Sequence, residues 1–253
     1  AVITEFPENR YIAKIDLLKW YMNKDELVMS SARKNVVPHE GKLYGFKDEP
    51  LIGARFVSTA PLQDSLWFVS GSAVYINKTK SIEASKVKYL DIADARIFPN
   101  QEKIVIDSIS KVQLLYKSKI LANRETRFHN IYDATVDIAS RKMYKASGKY
   151  DYIPVTNIPE VISMHTITVD SANSTFTDGT IVEPDSFMLS PDFMYQGRAQ
   201  IFAKEKYLTF NGSTKIVVEC PNTGTSWFDF KTVIDPTDVK IPVGDTLKEI
   251  NDK

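Results

Sequence analysis

The chain has 253 residues and a mass of 28.7 kDa, with 32 basic against 32 acidic side chains and 43% apolar residues. That length admits one large all-β domain or two smaller ones, and the apolar share is enough for a packed core. Balanced charge implies no strong long-range field, which disfavours nucleic acid as a partner, and a single cysteine, Cys220, excludes an intrachain disulfide and any multi-thiolate metal site.

No run approaches the ~20 apolar residues of a membrane-spanning helix. No signal peptide and no initiator Met open the sequence, and the closing LKEINDK resembles the beginning of another element. The sequence therefore reads as a piece of something longer.

In chain order, YIAKIDLLKWYMNKDELVMSS comes first and fits two patterns. Tyr11, Ile15, Leu18 and Met22 fall at helical spacing. Yet YMNKDELVMSS (Tyr21 to Ser31) lines up with YINKTKSIEAS (Tyr75 to Ser85), and a hairpin explains both segments with one device. Strands are therefore preferred. VVPHEGKLYGFKDEP follows as a long connection punctuated by Gly and Pro.

Three further segments align on an alanine: AVYINKTKSIEAS from Ala73, ATVDIASRKMYKASG from Ala134 and AQIFAKEKYLTFNG from Ala199, with starts 61 and 65 residues apart. Each runs Ala-x-Val/Ile, then a polar turn carrying lysine, then an alternating strand. Alternation at period two marks half-buried strands, and a knot of Asn, Ser, Lys and Glu between two such runs marks a surface turn. Asn77–Lys80, Ser140–Lys142 and Lys204–Lys206 are thus expected to be exposed turns, with Ala73, Ala134 and Ala199 facing the core. Between them, ADARIFP and EKIVIDSI read as short strands, and VQLLYKSKILAN reads as strand, Lys-Ser-Lys turn and strand. The fold class is all-β: a sandwich of similar hairpins, or a stacked β-jelly-roll or solenoid whose rungs share a core. Proline-marked breaks divide the chain into an N-terminal β segment and connection (1–50), a central region (51–155) and a C-terminal β region (156–253).

The chemistry-bearing residues form no known constellation. His39, His129 and His165 lie in no metal-binding spacing, and no GxSxG elbow, glycine-rich phosphate loop or calcium loop occurs. No catalytic, cofactor-binding or metal-ligating residue is therefore assigned, and no cofactor is implied. Asp91 and Asp94, three apart in YLDIADARIFP, are expected on opposite faces of a strand. Aromatics are more suggestive. Trp20, Trp67 and Trp227 each precede another large ring, so one ring of each pair should leave the core unless both faces are covered. These three tryptophans are the candidate ligand contacts, since exposed rings stack on sugars or line lipid grooves.

The block from Phe56 to Ile153, with its A-x-V-x-(turn)-K-x-Φ-x-A pattern, resembles segments of large cell-envelope β-repeat proteins of Bacteroidetes-type bacteria. From Ala73 to about Gly148 it is also distantly similar to the lipopolysaccharide-transport β-jelly-roll of the OstA/LptA type. These resemblances imply an extracytoplasmic protein of the periplasm, outer membrane or cell surface. They imply a non-enzymatic scaffold or binding module, handling a lipid or lipopolysaccharide-like ligand or assembling with envelope partners. A carbohydrate-binding or adhesive sandwich is the alternative, and a glycosidase-type hydrolase with carboxylates converging only in the fold is a second. An apolar interior groove favours the first, a flat aromatic platform the second, and two converged carboxylates in a cleft the third.

Overall fold

The structure is a computed structural model and describes residues 2–35, 50–217 and 226–242. Outside them lie His39, Cys220, the LKEINDK end and most of the Gly/Pro-punctuated connection. The first described stretch carries β1 (Val2–Phe6), β2 (Tyr11–Ile15), β3 (Leu17–Tyr21), β4 (Glu26–Ser30) and β5 (Lys34–Asn35). Next come β6 (Leu51–Ile52), β7 (Ala54–Ser58), β8 (Trp67–Ser70), β9 (Ser72–Ile76), β10 (Ser81–Ser85), β11 (Leu90–Ile92), β12 (Ala95–Phe98) and β13 (Lys103–Ile106). Longer strands follow: β14 (Leu115–Leu121), β15 (Asn130–Ser140), β16 (Met143–Tyr152), β17 (Glu160–Val169), β18 (Thr175–Ile181), β19 (Met188–Ser190), β20 (Phe193–Phe202), β21 (Leu208–Ile216) and β22 (Phe228–Ile234). Helical structure among the described residues is limited to three short 3-10 turns. The all-β expectation holds.

The N-terminal segment is strand, not helix. Tyr11, Ala13 and Ile15 are buried while Lys14 between them is exposed, which is the two-residue period of a half-buried strand. The two aligned hairpins lie side by side. β4 pairs with β9, placing Met29 opposite Ala73 and Leu27 opposite Tyr75. Their turns are joined as well, because Asn77 donates from its side-chain amide to the Asp25 carboxylate at 2.7 Å and from its backbone to the Asp25 carbonyl at 3.1 Å.

Four antiparallel sheets result. One runs β1-β2-β7-β8, a second β13-β10-β9-β4-β3, and a short third joins β5 and β6. The largest runs β11-β12-β14-β15-β16-β17-β18-β20-β21-β22, with β19 added against β20, and is curled into a half-barrel. Pairings cross both expected divisions: β2 pairs β7 and β4 pairs β9 across residue 50, and β16 pairs β17 across residue 155. One contiguous core links the three larger sheets, from Phe6 and Tyr11 through Ile82 to Phe230 and Ile234.

A row of small residues crosses the large sheet. Ser118 pairs with Ala134, and Gly148 stands opposite the irregularity at Asp133–Ala134 and pairs with Met164. Met164 pairs with Gly179, Gly179 with Ala199, and Ala199 with Phe210. A Cβ on Gly148 would come within 2.7 Å of Ile131 Cγ2, and one on Gly179 within 3.0 Å of Met164 Sδ. Small residues here let the sheet bend without a clash on its buried face. Beside the row, Gly197 and Gly212 pair, and the Tyr195 hydroxyl lies across them and donates to the Arg198 carbonyl at 2.9 Å. Tyr195 then meets Phe210 and Phe230 edge-on, at 5.1 and 5.6 Å between ring centres, so aromatic rings fill the space the curl encloses.

One stretch departs from its sequence reading. Lys117–Lys119 is no turn; it lies inside β14, where the register slips twice and Lys117 takes a left-handed φ of 50°. The bulge puts an extra residue into the strand, and Ser118 is buried between two exposed lysines. Composition imitated a turn here because both lysines point to solvent.

Ala73, Ala134 and Ala199 are all buried, while Thr135 and Gln200 are only partly so. Ala134→Leu and Ala199→Leu should each overpack the row and cost ~1–3 kcal/mol, whereas Thr135→Leu and Gln200→Leu should be nearly silent. Urea midpoints of the four variants check this, and equal midpoints within each pair would refute the packing role of the alanines.

Candidate functional site

Antiparallel order places the β15–β16 turn (141–142), the loop before β18 (170–174) and the turn before β21 (203–207) at one end of the large sheet, and the β11–β12 turn (93–94) with the loop after β14 at the other, yet all of them meet around one cleft. The Ala93 N–H donates to the Arg141 carbonyl at 2.9 Å, and the Arg141 N–H donates to the Gln63 carbonyl at 3.1 Å. From the loop after β14, the Arg124 N–H donates to the Asp94 carbonyl at 2.9 Å and the Thr126 hydroxyl to the Ala203 carbonyl at 3.1 Å. With Arg55 of β7 and Trp67 of β8, these turns bound a cleft of about 740 Å³.

Asp91 and Asp94 both line this cleft instead of facing opposite ways, because the strand ends at Ile92 and Ala93 takes a left-handed φ of 52°. Each carboxylate already has partners. Asp91 is buried and accepts from both Nε and Nη2 of buried Arg96, at 2.7 and 3.0 Å, with Arg124 Nη1 at 3.5 Å on its other side. The Arg96 guanidinium in turn lies 3.8 Å from the centre of the Tyr89 ring. Asp94 accepts from the Thr175 N–H at 2.9 Å, the Thr175 hydroxyl at 2.7 Å, the Ser174 hydroxyl at 3.2 Å and the Asn123 amide at 3.3 Å. Burial raises the Asp94 pKa above its ordinary value, against the pull of the Thr175 and Ser174 hydrogen bonds. A carboxylate that accepts four donors is a structural clamp between turns.

The cationic side chains are arranged differently. Arg55, Arg124, Arg141, Lys142 and Lys204 line the cleft, against Asp91, Asp94 and Glu125. Arg55 lies 4.5 Å from the centre of the Trp67 ring. Partial enclosure lowers the Arg55 pKa from its ordinary value, and the neighbouring Arg141 charge lowers it further. None of Arg55, Arg141, Lys142 and Lys204 forms an ion pair with a described acidic side chain.

The three candidate tryptophans stand on three different sheets. Trp67 is half-buried and forms a wall of the cleft. Trp227 is half-buried just before β22, with Lys215 Nζ 5.1 Å from its ring centre. Trp20 is 62% exposed on β3, and it marks a second surface. All five residues of β3 are exposed, four of them apolar or aromatic, and β3 is the outermost strand of its sheet. Among the described residues its outer backbone groups have no strand partner.

Of the histidines, His165 is exposed on β17 and His129 is buried. His129 Nε2 sits 2.7 Å from the Glu205 carbonyl, which can only accept, so Nε2 carries the proton and Nδ1 accepts from the Tyr150 hydroxyl at 3.2 Å. Burial lowers its pKa, and the Glu205 bond opposes that less strongly. Among the described residues no three His, Cys, Asp or Glu side chains are placed to hold a metal ion, and no helix is long and apolar enough to cross a membrane. No family model, curated protein or solved structure matches the chain.

Arg55, Arg124 and Arg141 were invisible as site residues in the sequence, since no motif joins them. Lys142 and Lys204 were noted, but only as turn markers. Their common membership in one cleft depends on which turns the folded sheet brings together.

Asp91→Ala removes the carboxylate that buried Arg96 grips and should cost ~3–5 kcal/mol. Lys142→Ala and Lys204→Ala, at exposed turn positions, should each move stability by less than ~0.5 kcal/mol. Chemical denaturation of the three variants checks the contrast.

A buried neutral histidine also gives a pH signature. With the folded pKa below the unfolded 6.5, the unfolded chain binds the proton first, so stability falls as pH drops below 6.5 until the folded pKa is reached. His129→Gln should show a smaller loss than the parent between about pH 7.5 and about pH 5.5. Urea midpoints at the two pH values measure it, and an identical loss in both proteins would rule His129 out as the source.

Proposed function

We propose that this chain is a non-enzymatic β scaffold of the bacterial cell envelope that joins a neighbouring β module by strand addition at β3. The observation that carries this reading is the condition of β3, an edge strand exposed on both faces. Soluble proteins usually blunt such edges with charge, proline or a covering loop. Here Leu17, Leu18, Trp20 and Tyr21 stand at 43–62% exposure, interrupted by a single charge at Lys19. An extended partner strand would satisfy the free backbone groups and cover those side chains together.

The partner's form follows from how β3 was itself placed. Within this sheet one hairpin (β3–β4) is already stacked on another (β9–β10) through antiparallel pairing of β4 with β9. A further hairpin of the same kind, on a neighbouring chain, extends that ladder from β3 by the same chemistry. The envelope location rests on the resemblance of the Phe56–Ile153 block to envelope β-repeat proteins. The lipid- or lipopolysaccharide-handling form of the proposal draws less support, because the enclosed space is occupied by Tyr152, Phe187, Tyr195, Phe210 and Phe230. The hydrolase reading draws less as well, since Asp91 and Asp94 are held by internal donors.

Sedimentation velocity tests the assembly. The parent should self-associate as concentration rises towards ~100 µM, while Trp20→Lys and Leu18→Lys should remain monomeric with unchanged thermal midpoints. A parent that is monomeric throughout, or association that survives both substitutions, overturns the proposal.

A further inference from the structure

Beyond assembly, the cleft carries a charge imbalance that no contact among the described residues relieves. Asp91 answers two guanidiniums, those of Arg96 and Arg124. Asp94 is committed to Thr175, Ser174 and Asn123. That leaves Glu125 against Arg55, Arg141, Lys142 and Lys204, four cations from three different parts of the fold. Partial enclosure disfavours the Arg55 charge, and the neighbouring Arg141 charge adds to that cost. Side chains this long would separate in open solvent. Here Arg55 is held against the Trp67 ring, and Arg141 leaves a turn whose backbone is bonded to both Ala93 and Gln63.

We propose that this cleft binds a phosphate-bearing ligand, with Arg55 and Arg141 clamping the phosphate and Lys142 and Lys204 meeting further negative charge at the rim. Guanidinium forks match phosphate oxygens in pairs, and two neighbouring guanidiniums suit a dianion better than a single carboxylate. The cleft, at about 740 Å³, far exceeds a lone phosphate, so the group arrives attached to a larger body. Trp67 gives that body one flat wall. A phosphorylated saccharide and the phosphate headgroup of a lipid share this chemistry.

Calorimetric titration with pyrophosphate and with glucose 1,6-bisphosphate, and flotation with vesicles of phosphatidylcholine mixed with phosphatidic acid, separate the two sources. Binding of the soluble probes tighter than ~1 mM assigns a soluble phosphoester, and binding confined to the vesicles assigns a headgroup. In either case Arg55→Ala and Arg141→Ala should weaken binding ~10-fold or more, the loss expected for a charge-assisted contact. Lys78→Ala, an equal charge change on the exposed β9–β10 turn, should stay within ~2-fold of the parent. Thermal midpoints confirm that each variant is folded, and Lys142→Ala with Lys204→Ala serves as a second cleft variant if either arginine substitution lowers stability. No binding of any probe overturns the proposal. So does binding that withstands the cleft substitutions, or that Lys78→Ala weakens as much as they do.

Discussion

Everything at the working end of this protein depends on the large sheet being able to bend. A meander of ten long antiparallel strands left flat would expose one apolar face and hold its turns in a straight line. The row Ser118, Ala134, Gly148, Met164, Gly179, Ala199 gives the buried face room to fold inward, because small side chains stand where strands crowd. Met164 lies between two glycines in that row, and its thioether stands where a side chain on Gly179 would crowd it, while Ile131 and Ala134 do the same at Gly148. The Gly197–Gly212 pair under the Tyr195 hydroxyl repeats the device with a ring in place of a thioether.

Bending has a second consequence, at the ends of the strands. Turns from both ends of the meander become walls around a hollow, and residues far apart in sequence, such as Arg55 and Lys204, come to line it together. The hollow is braced by polar contacts that the core cannot supply. Asp94 ties the β11–β12 turn to the start of β18, and Asp91 with Arg96 forms a buried pair beneath the cleft. Such a pair is worth little compared with an apolar replacement, but it is costly to break from one side. It holds the floor in one arrangement while Arg55, Arg141, Lys142 and Lys204 form no ion pair with a described acidic side chain.

The sequence made the strands legible wherever one face meets the core and the other meets water. β2, β15 and the second half of β20 show that alternation, and the recurring alanines turned out to be buried small positions. The N-terminal ambiguity was resolved by matching Tyr21–Ser31 to Tyr75–Ser85, a match that became physical contact between the two hairpins. Lys117–Lys119 misled because a bulged strand and a turn both put lysines in water. Asp91 and Asp94 misled because a strand boundary fell between them, and boundaries are set by pairing across the sheet. The cleft was illegible for a related reason. Its residues span positions 55 to 204 and come from seven segments, and nothing local encodes which turns become neighbours. Trp67 was the one lining residue singled out as a ligand contact, and the property that singled it out was its ring rather than the guanidinium it holds.

The filled interior decides where this protein can meet anything else. In a barrel that carries a ligand, inward positions are short or the strands are too many for side chains to close the space. Here the curl is matched by Tyr144, Tyr152, Phe187, Tyr195 and Phe210, each nearly or fully buried, and the tyrosines among them are anchored by hydroxyl hydrogen bonds to Thr175, Leu189 and Arg198. A ligand entering that space would have to displace several rings and break those bonds, a cost on the scale of whole-domain stability. Recognition is therefore left to surfaces the core does not consume: the backbone edge at β3 and the charged cleft at the turns. In the proposed roles the first would meet extended chain and the second negative charge, and the two surfaces share no residue, so a neighbour and a ligand would not compete for contacts.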